Sequence, residues 1–325
     1  MTTLKLTVTN VAEETALIRR VQLALPDGSA LPGFDAGAHV TLQIPGVGPR
    51  KYSLVNAAAE PAANANPSQY VLAVRLETGG GGGSVFVHAL RTGDRIDVGP
   101  PENNFRLTSG TAPVLLIAGG IGVTPLISMA ASMKASGRPF RFIYAARSRT
   151  DLAFMPEITG LAGAALEIHA DDEKGAVLDV KTILGGLKAD EAVYICGPKP
   201  MLKAGITAAR ALGWPAGRLK FELFYSAAAL PAAAPASGSF EVELKSSGKI
   251  FNVPQDKSIL EVLIAAGEDP LHDCGRGECG VCQTGVVAGV PDHRDSILSA
   301  GERDAGKVMQ ICVSRAKSAR LVLDL

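Results

Sequence analysis

Aromatic residues are scarce in this 325-residue chain, at 5%, and net charge is absent, with 32 Lys and Arg against 32 Asp and Glu. So few rings leave little material for stacking nucleic-acid bases. Balanced charge removes the bulk attraction that draws proteins to phosphate backbones. A secretory signal is missing as well, because Met1-Thr2-Thr3-Leu4-Lys5 runs into alternating residues rather than an apolar stretch. A cytoplasmic protein is expected. Cysteines number five, an odd count, and three of them fall between Cys274 and Cys282. A disulfide framework is rare in a reducing compartment and spreads its cysteines more widely, so metal chemistry is the better reading. His39, His88, His169, His272 and His293 show no triad or ligand spacing. No side chain is assigned as an acid–base catalyst, and the acid pair Asp171-Asp172 reads as a solvated turn.

Apolar material is plentiful. At 47% apolar and 20% charged residues the chain can bury proper cores, which excludes disorder. Its length suits two or three domains. Ala112 to Met133 carries no charge and is long enough to cross a bilayer. It also holds Pro113, Gly119, Gly120, Gly122 and Pro125, and reads better as a buried strand, a glycine turn and a helix. No membrane association is expected.

Residues 1–108 read as short alternating strands, such as Val40 to Ile44 and Tyr70 to Val74, separated by turns. That pattern predicts an antiparallel β-barrel. From residue 109 to 225 the character changes. Continuous apolar runs at Val114 to Ile117, Phe140 to Tyr144 and Ala192 to Ile195 alternate with helical segments at Thr124 to Ala135 and Pro200 to Leu212. Strands covered on both faces and alternating with helices predict a doubly wound parallel α/β sheet. Residues 226–239, SAAALPAAAPASGS, read as a linker with two prolines, the alternative being a short helix. Residues 240–325 predict a hairpin, Phe240 to Leu244 with Ile250 to Val253, and then a helix from Ser258 to Ala266, capped by Ser258 with Glu261 three residues later.

The cysteines in that last segment are spaced Cys274-x4-Cys279-x2-Cys282, with Cys312 after 29 intervening residues. This is the plant-type spacing for four thiolates on a 2Fe–2S cluster. One tight loop turns three sulfurs inward, and the fourth comes from a distant strand. Gly275, Gly277 and Gly280 supply the dihedral freedom of such a loop. Structural zinc is the alternative, although zinc sites favour two separated Cys-x2-Cys knuckles.

Gly119-Gly120-Ile121-Gly122-Val123-Thr124-Pro125 follows a strand and opens a helix. Such a turn lets backbone approach a pyrophosphate at a helix N-terminus, or serves tight packing alone. Cys196-Gly197-Pro198 ends another strand, so both segments should line one crevice; on its own Cys196 reads more readily as a small buried apolar residue than as a functional thiol. Arg50-Lys51-Tyr52-Ser53-Leu54 closes a strand and could hold an anion and an aromatic ring system, or be an ordinary strand end. Gly79 to Gly83 with Ser84 reads as a flexible loop or a phosphate-binding nest.

Taken in order along the whole chain, these motifs resemble the phthalate dioxygenase reductase family, within the wider ferredoxin–NADP reductase-like flavoenzymes. Asp292-His293-Arg294-Asp295 and Cys312-Val313-Ser314-Arg315-Ala316 are similar to that family as well. The resemblance implies a flavin-binding barrel, a nicotinamide domain and a C-terminal plant-type ferredoxin domain of the β-grasp kind. It implies that Arg50 pairs with the flavin phosphate, Tyr52 lies against the ring and Ser53 bonds near its reactive nitrogen, with Leu54 adjoining. Gly83 and Ser84 would help hold the phosphate, and Phe224 would cover the flavin where nicotinamide enters. Gly119, Gly120, Gly122, Thr124 and Pro125 would receive the dinucleotide, with Cys196, Gly197 and Pro198 beside the nicotinamide. Cys274, Cys279, Cys282 and Cys312 would hold the cluster.

The family implies FMN, with FAD the alternative, and NADH, with NADPH the alternative. Arg147 or Arg149 could accept a 2′-phosphate or simply be solvated. The expected function is the reductase component of a two-component Rieske aromatic-ring oxygenase or O-demethylase, acting as a monomer. The competing readings are a reductase for a non-Rieske monooxygenase and a redox sensor without turnover.

Overall fold

The computed structural model describes residues 3–59, 63–79, 81–215, 217–224, 238–268, 270–272, 275–277 and 280–325. The chain forms two compact units, Met1–Ser226 and Ala227–Leu325. The linker expected at 226–239 lies outside the described residues as far as residue 237.

The first unit opens with β1 (Leu4–Glu13), β2 (Ile18–Ala24), β3 (His39–Ile44), β4 (Gly48–Ser53), β5 (Tyr70–Arg75), helix α1 (Gly83–Ala89) and β6 (Arg95–Val98). These strands make one antiparallel sheet in the order β4-β3-β6-β1-β2-β5. Its edges meet just past β4, where the Val55 N–H donates to the Val71 carbonyl at 2.8 Å. Asn56 takes the Val71 N–H at 3.1 Å and donates to the Gln69 carbonyl at 2.9 Å. Side-chain amide and backbone together thus satisfy the edge that an open sheet would leave exposed. The expected barrel is present, filled by Leu6, Val8, Leu23, Leu42, Leu72 and Val98 among others.

Beyond it come β7 (Val114–Gly119), α2 (Val123–Ser136), β8 (Phe140–Ala146), α3 (Met155–Ala162), β9 (Leu166–Ala170), α4 (Asp171–Lys174), α5 (Val180–Gly185), β10 (Ala192–Cys196), α6 (Lys199–Ala211) and β11 (Leu219–Glu222). All pairings in this second sheet are parallel, in the order β11-β10-β7-β8-β9. Every residue of β7 is buried, as its unbroken apolar run requires. Asp171 and Asp172, expected in a turn, open the short helix α4 instead, with Asp171 3.3 Å from His169.

Helix α2 explains why Ala112 to Met133 is apolar on all sides. Ten of its residues are buried. One face covers β7 and β8, and the other meets Ile18, Val55, Ala73 and Phe105 of the first segment. Ser128 on that second face accepts the Gly37 N–H at 3.0 Å. A helix buried on both faces carries no polar stripe. Among the described residues no helix is long and apolar enough to cross a membrane. The two sheets are further tied by Arg20, which pairs with Glu14 at 2.5 Å and with Glu157 of α3, and lies 4.6 Å from the Phe154 ring centre.

The second unit comprises β12 (Phe240–Leu244), β13 (Ile250–Val253), α7 (Ile259–Ala265), β14 (Gln283–Ala288), β15 (Pro291–Asp292), α8 (Ala300–Ala305), β16 (Val308–Gln310), β17 (Arg315–Ala316) and β18 (Arg320–Leu323). The main sheet runs β13-β12-β18-β14-β16, with β12 and β18 parallel and the other neighbours antiparallel. Helix α7 starts with the expected capping box, in which the Ser258 and Glu261 side chains each satisfy the other's backbone N–H. Arg315 explains part of the C-terminal motif. Its buried guanidinium donates to the carbonyls of Lys257, Gly238 and Pro254 at 2.8, 3.1 and 3.0 Å, stapling three loops together.

Candidate functional site

The β3–β4 hairpin positions the first group. Alternation along β4 puts Arg50 and Tyr52 on one face and the exposed Lys51 on the other. Gly83, the first residue of α1, packs onto the Arg50–Tyr52 face. A Cβ there would lie 2.9 Å from Tyr52 Oη and 3.0 Å from Arg50 Cγ, so a side chain would crowd the cradle. Arg50 donates through Nη1 to the Pro49 carbonyl at 2.8 Å and through Nη2 to the Gly81 carbonyl at 3.3 Å. Among the described residues its Nε is buried without a partner. A buried guanidinium N–H is costly unless an anion completes it, so these residues fit a flavin phosphate. Burial pushes the Tyr52 phenol up to about 12, with the nearby Arg50 charge opposing the shift, and Tyr52 stays neutral. Ser84 is turned away from Arg50: its hydroxyl accepts the Glu77 N–H at 2.9 Å and donates to the Glu77 carbonyl at 3.2 Å. The Leu54 side chain is buried in the barrel core, so only its backbone can face a ligand.

The second group sits at the carboxyl ends of the parallel strands. Cys196 at the end of β10 stands beside Ala118 of β7 on one side and Glu222 of β11 on the other. Gly119 and Gly122 are pressed against the Cys196-Gly197-Pro198 segment. A Cβ on Gly119 would come within 2.6 Å of Pro198 Cδ, and one on Gly122 within 2.2 Å of the Cys196 carbonyl oxygen and 2.6 Å of the Gly197 nitrogen. The structure therefore brings these two sequence motifs into direct contact. This is also where the strand order of the sheet reverses, because β8 and β9 extend to one side of β7 while β10 and β11 extend to the other. Open α/β sheets bind ligands in the crevice at such a point. Gly120 has φ +52° and opens the turn into α2. The Thr124 hydroxyl donates to the Ile121 carbonyl at 3.0 Å, and Pro125 is buried in the first turn of α2.

Ser53, the last residue of β4, joins the two groups: its Oγ lies 3.5 Å from Glu222 Oε2. Cys196 is fully buried. Burial, and secondarily the Glu222 charge, push its thiol well above the usual range, so it is a neutral thiol and not a nucleophile. Sequence reasoning missed Glu222. The available signal was its position two residues before Phe224, itself 42% exposed beyond the end of β11. Arg147 is exposed, and its carbonyl accepts the Asp172 N–H at 3.0 Å. Arg149 pairs with Glu173 at 2.5 Å.

In the second unit Cys282 and Cys312 are buried, with Sγ atoms 3.1 Å apart, farther than a disulfide of about 2.05 Å and close enough for one iron to take both. Cys312, expected on a strand, stands in the turn after β16. Gly277 has φ +71°, and a Cβ there would lie 2.4 Å from Val313 Cγ2 and 3.0 Å from Asp295 Cα. Gly277 is therefore seated on the Asp292–Asp295 and Cys312–Ala316 motifs, which pair with each other through β15 and β17. Cys274 and Cys279 lie outside the described residues, and among the described residues no three His, Cys, Asp or Glu converge as a metal site. The thiol pair and the left-handed glycines fit the cluster loop expected from the spacing.

Comparison with known proteins agrees. Residues 242–317 match the 2Fe–2S iron–sulfur cluster binding domain, and residues 116–205 match the oxidoreductase NAD-binding domain. Phenoxybenzoate dioxygenase subunit beta from Ectopseudomonas oleovorans is 39% identical, over 93% of this chain and 91% of that protein. The heme-dependent oxidative N-demethylase beta subunit from Ectopseudomonas mendocina is 35% identical, over 100% of this chain and 99% of that protein. Among solved structures, phthalate dioxygenase reductase, described as a modular structure for electron transfer from pyridine nucleotides to [2Fe–2S], is 36% identical with a TM-score of 0.63, covering 99% of this chain and 98% of that one. With likeness over the full length, two matching domain models and the motifs in place, the chain belongs to the phthalate dioxygenase reductase family of NAD-binding, 2Fe–2S oxidoreductases.

Proposed function

We propose that the chain is the reductase component of an aromatic-ring oxygenase or O-demethylase system, taking a hydride from NADH onto FMN and passing electrons singly through a 2Fe–2S cluster to a Rieske-type oxygenase. The observation that carries this reading is the meeting of Ser53 from the antiparallel sheet with Glu222 and Cys196 at the carboxyl edge of the parallel sheet. That contact gives a flavin and a nicotinamide one shared crevice. Three working domains follow, at residues 1–108, 109–225 and 240–325, with a linker at 226–239. The protein acts as a monomer in the cytoplasm.

When bound, the flavin accepts two electrons with a hydride and releases them one at a time, matching the single electron a 2Fe–2S cluster takes. The residues of the chain supply placement. Arg50 would hold the phosphate through its Nε, with Gly83 closing the cradle and Ser84, whose hydroxyl is bonded to the Glu77 backbone, offering only its backbone. Tyr52 offers a neutral phenol beside the ring, and Ser53 a hydroxyl near its reactive edge, with the backbone of Leu54 adjoining. Gly119, Gly120 and Gly122 admit the dinucleotide backbone at the start of α2, where Thr124 and Pro125 fix the turn. Cys196, Gly197 and Pro198 form the opposite wall. Phe224, exposed past the end of β11, would cover the flavin on the side where nicotinamide enters. Arg149 is occupied by Glu173, which favours NADH over a 2′-phosphorylated cofactor, and Arg147 borders the adenosine. Cys274, Cys279, Cys282 and Cys312 hold the cluster.

An anaerobic absorbance titration tests the relay. NADH should bleach flavin and iron–sulfur bands together, with about three electrons taken up per chain, two for the flavin and one for the cluster; bleaching of the flavin alone removes the cluster from the scheme. Likeness to a heme-dependent demethylase subunit favours a second reading, in which the acceptor is a haem protein. Reduction of a purified Rieske oxygenase, compared with a haem-containing one, separates the two.

A further inference from the structure

Gln310 is fully buried, yet its side chain is an amide. It is the last residue of β16, two positions before Cys312, and its backbone carbonyl accepts the N–H groups of Val313 and Ser314 at 3.3 and 2.9 Å, forming the base of the Cys312 turn. Its Oε1 lies 3.5 Å from Cys282 Sγ. At the other end Nε2 donates to Gln283 Oε1 at 3.3 Å, across the β14–β16 pair in which Gln283 and Gln310 face each other. Packing alone asks for leucine at such a site, because burying an amide is costly unless both ends are bonded.

The facing atom depends on the state of the sulfur. A Cys282 thiol donates its proton to Oε1. A Cys282 thiolate bound to iron is only an acceptor, and a carbonyl oxygen pointed at it is repelled. A half-turn of the Gln310 amide brings Nε2 to the sulfur and Oε1 to Gln283. Gln283 is half-buried, so it can turn in step and donate in its place. We propose that Gln310 is a positioning residue for the cluster: its amide donates a hydrogen bond to the Cys282 thiolate and raises the reduction potential of the 2Fe–2S centre. This inference rests on the reading of Cys282 as a cluster ligand. Hydrogen bonds to ligand sulfurs are among the factors that set such potentials, because they stabilise the extra negative charge of the reduced state.

The test is a potentiometric titration of the full-length holoprotein, followed by electron paramagnetic resonance of the reduced cluster. Gln310→Leu removes the donor at similar volume, and Gln310→Glu keeps the shape while placing an acceptor at the sulfur. Both should lower the midpoint potential. Loss of the bond should shift the one-electron equilibrium about tenfold, or about 59 mV for a one-electron couple, with Gln310→Glu shifted at least as far. Potentials equal to the wild type in both variants overturn the proposal. Should neither variant load a cluster, pulsed resonance on the unaltered chain labelled with 15N in glutamine side-chain amides decides. A 15N coupling to the reduced cluster upholds the bond, and its absence overturns it. A wild-type protein with no 2Fe–2S signal at all would fail at the earlier step and overturn both the ligand assignment and the role of Gln310.

Discussion

Substituting Gly122 by alanine tests the crevice directly. The added Cβ would stand 2.2 Å from the Cys196 carbonyl oxygen, 2.4 Å from its carbon and 2.6 Å from the Gly197 nitrogen. All three are backbone atoms at the end of the β7–β10 pairing or just past it, so no side chain can swing aside. Carbon contacts want about 3.5 Å, and the start of α2 must retreat from β10 by roughly 1 Å. Overpacking of this kind costs about 1–3 kcal/mol, and the rigidity of the neighbours points to the upper half of that range. In a unit of this size each kcal/mol lowers Tm by about 2–4 °C, so a fall of roughly 5–10 °C is expected in thermal unfolding followed by circular dichroism. The same displacement separates the two walls of the crevice proposed for the nicotinamide, and a misplacement near 1 Å can cost about 10²-fold in rate. Steady-state kcat/KM for NADH with ferricyanide should fall toward that limit. Gly120→Ala is the control: nothing lies within 4 Å of its Cβ, and it bears only the strain of φ +52°, about 1–2 kcal/mol. A Gly122→Ala protein with wild-type Tm and kcat/KM would refute the close contact of these segments.

Three further outcomes are expected. Arg50→Ala should weaken flavin retention by about 10–100-fold, the equivalent of losing one hydrogen bond to a charged group; flavin fluorescence released on dilution measures it, and unchanged retention would move the phosphate site elsewhere. Glu222→Gln, beside Cys196 and 3.5 Å from Ser53, should slow flavin reduction in stopped flow by up to about 10²-fold through misplacement in the crevice with a smaller change in NADH binding, and an unaltered rate would take Glu222 out of the site. His39 is held below its ordinary range by burial, with Lys51 adding to the shift and Glu102 opposing it. The unfolded chain therefore binds the extra proton first, and stability should be full above about pH 6.5 and decline as pH falls below it. His39→Gln should lose less stability than the wild type between pH 7.5 and pH 5 in urea unfolding, and equal losses would contradict the assignment.

Much of this architecture is local in origin, and so could be read along the chain. The apolar run of β7, the alternation of β3 and β5 and the Ser258–Glu261 box each depend on neighbours a few residues away. The cysteine spacing and the Gly119–Gly122 turn are likewise short-range patterns with a steric cause. What remained hidden was long-range. Glu222 carries no local signature, and becomes part of the site only because β11 pairs with β10 and brings it beside Cys196 and within 3.5 Å of Ser53, 169 residues away. The apolar girth of α2 is explained only by the antiparallel segment packed on its far side. The Cys312 turn and the amide of Gln310 facing Cys282 are products of strand register between β14 and β16. Sequence by itself determined which elements form and which chemistry the chain can hold, because propensity, capping and ligand spacing act over a few residues. Only tertiary structure decided which side chains meet, because those contacts depend on sheet order and register, set by the packing of the whole unit.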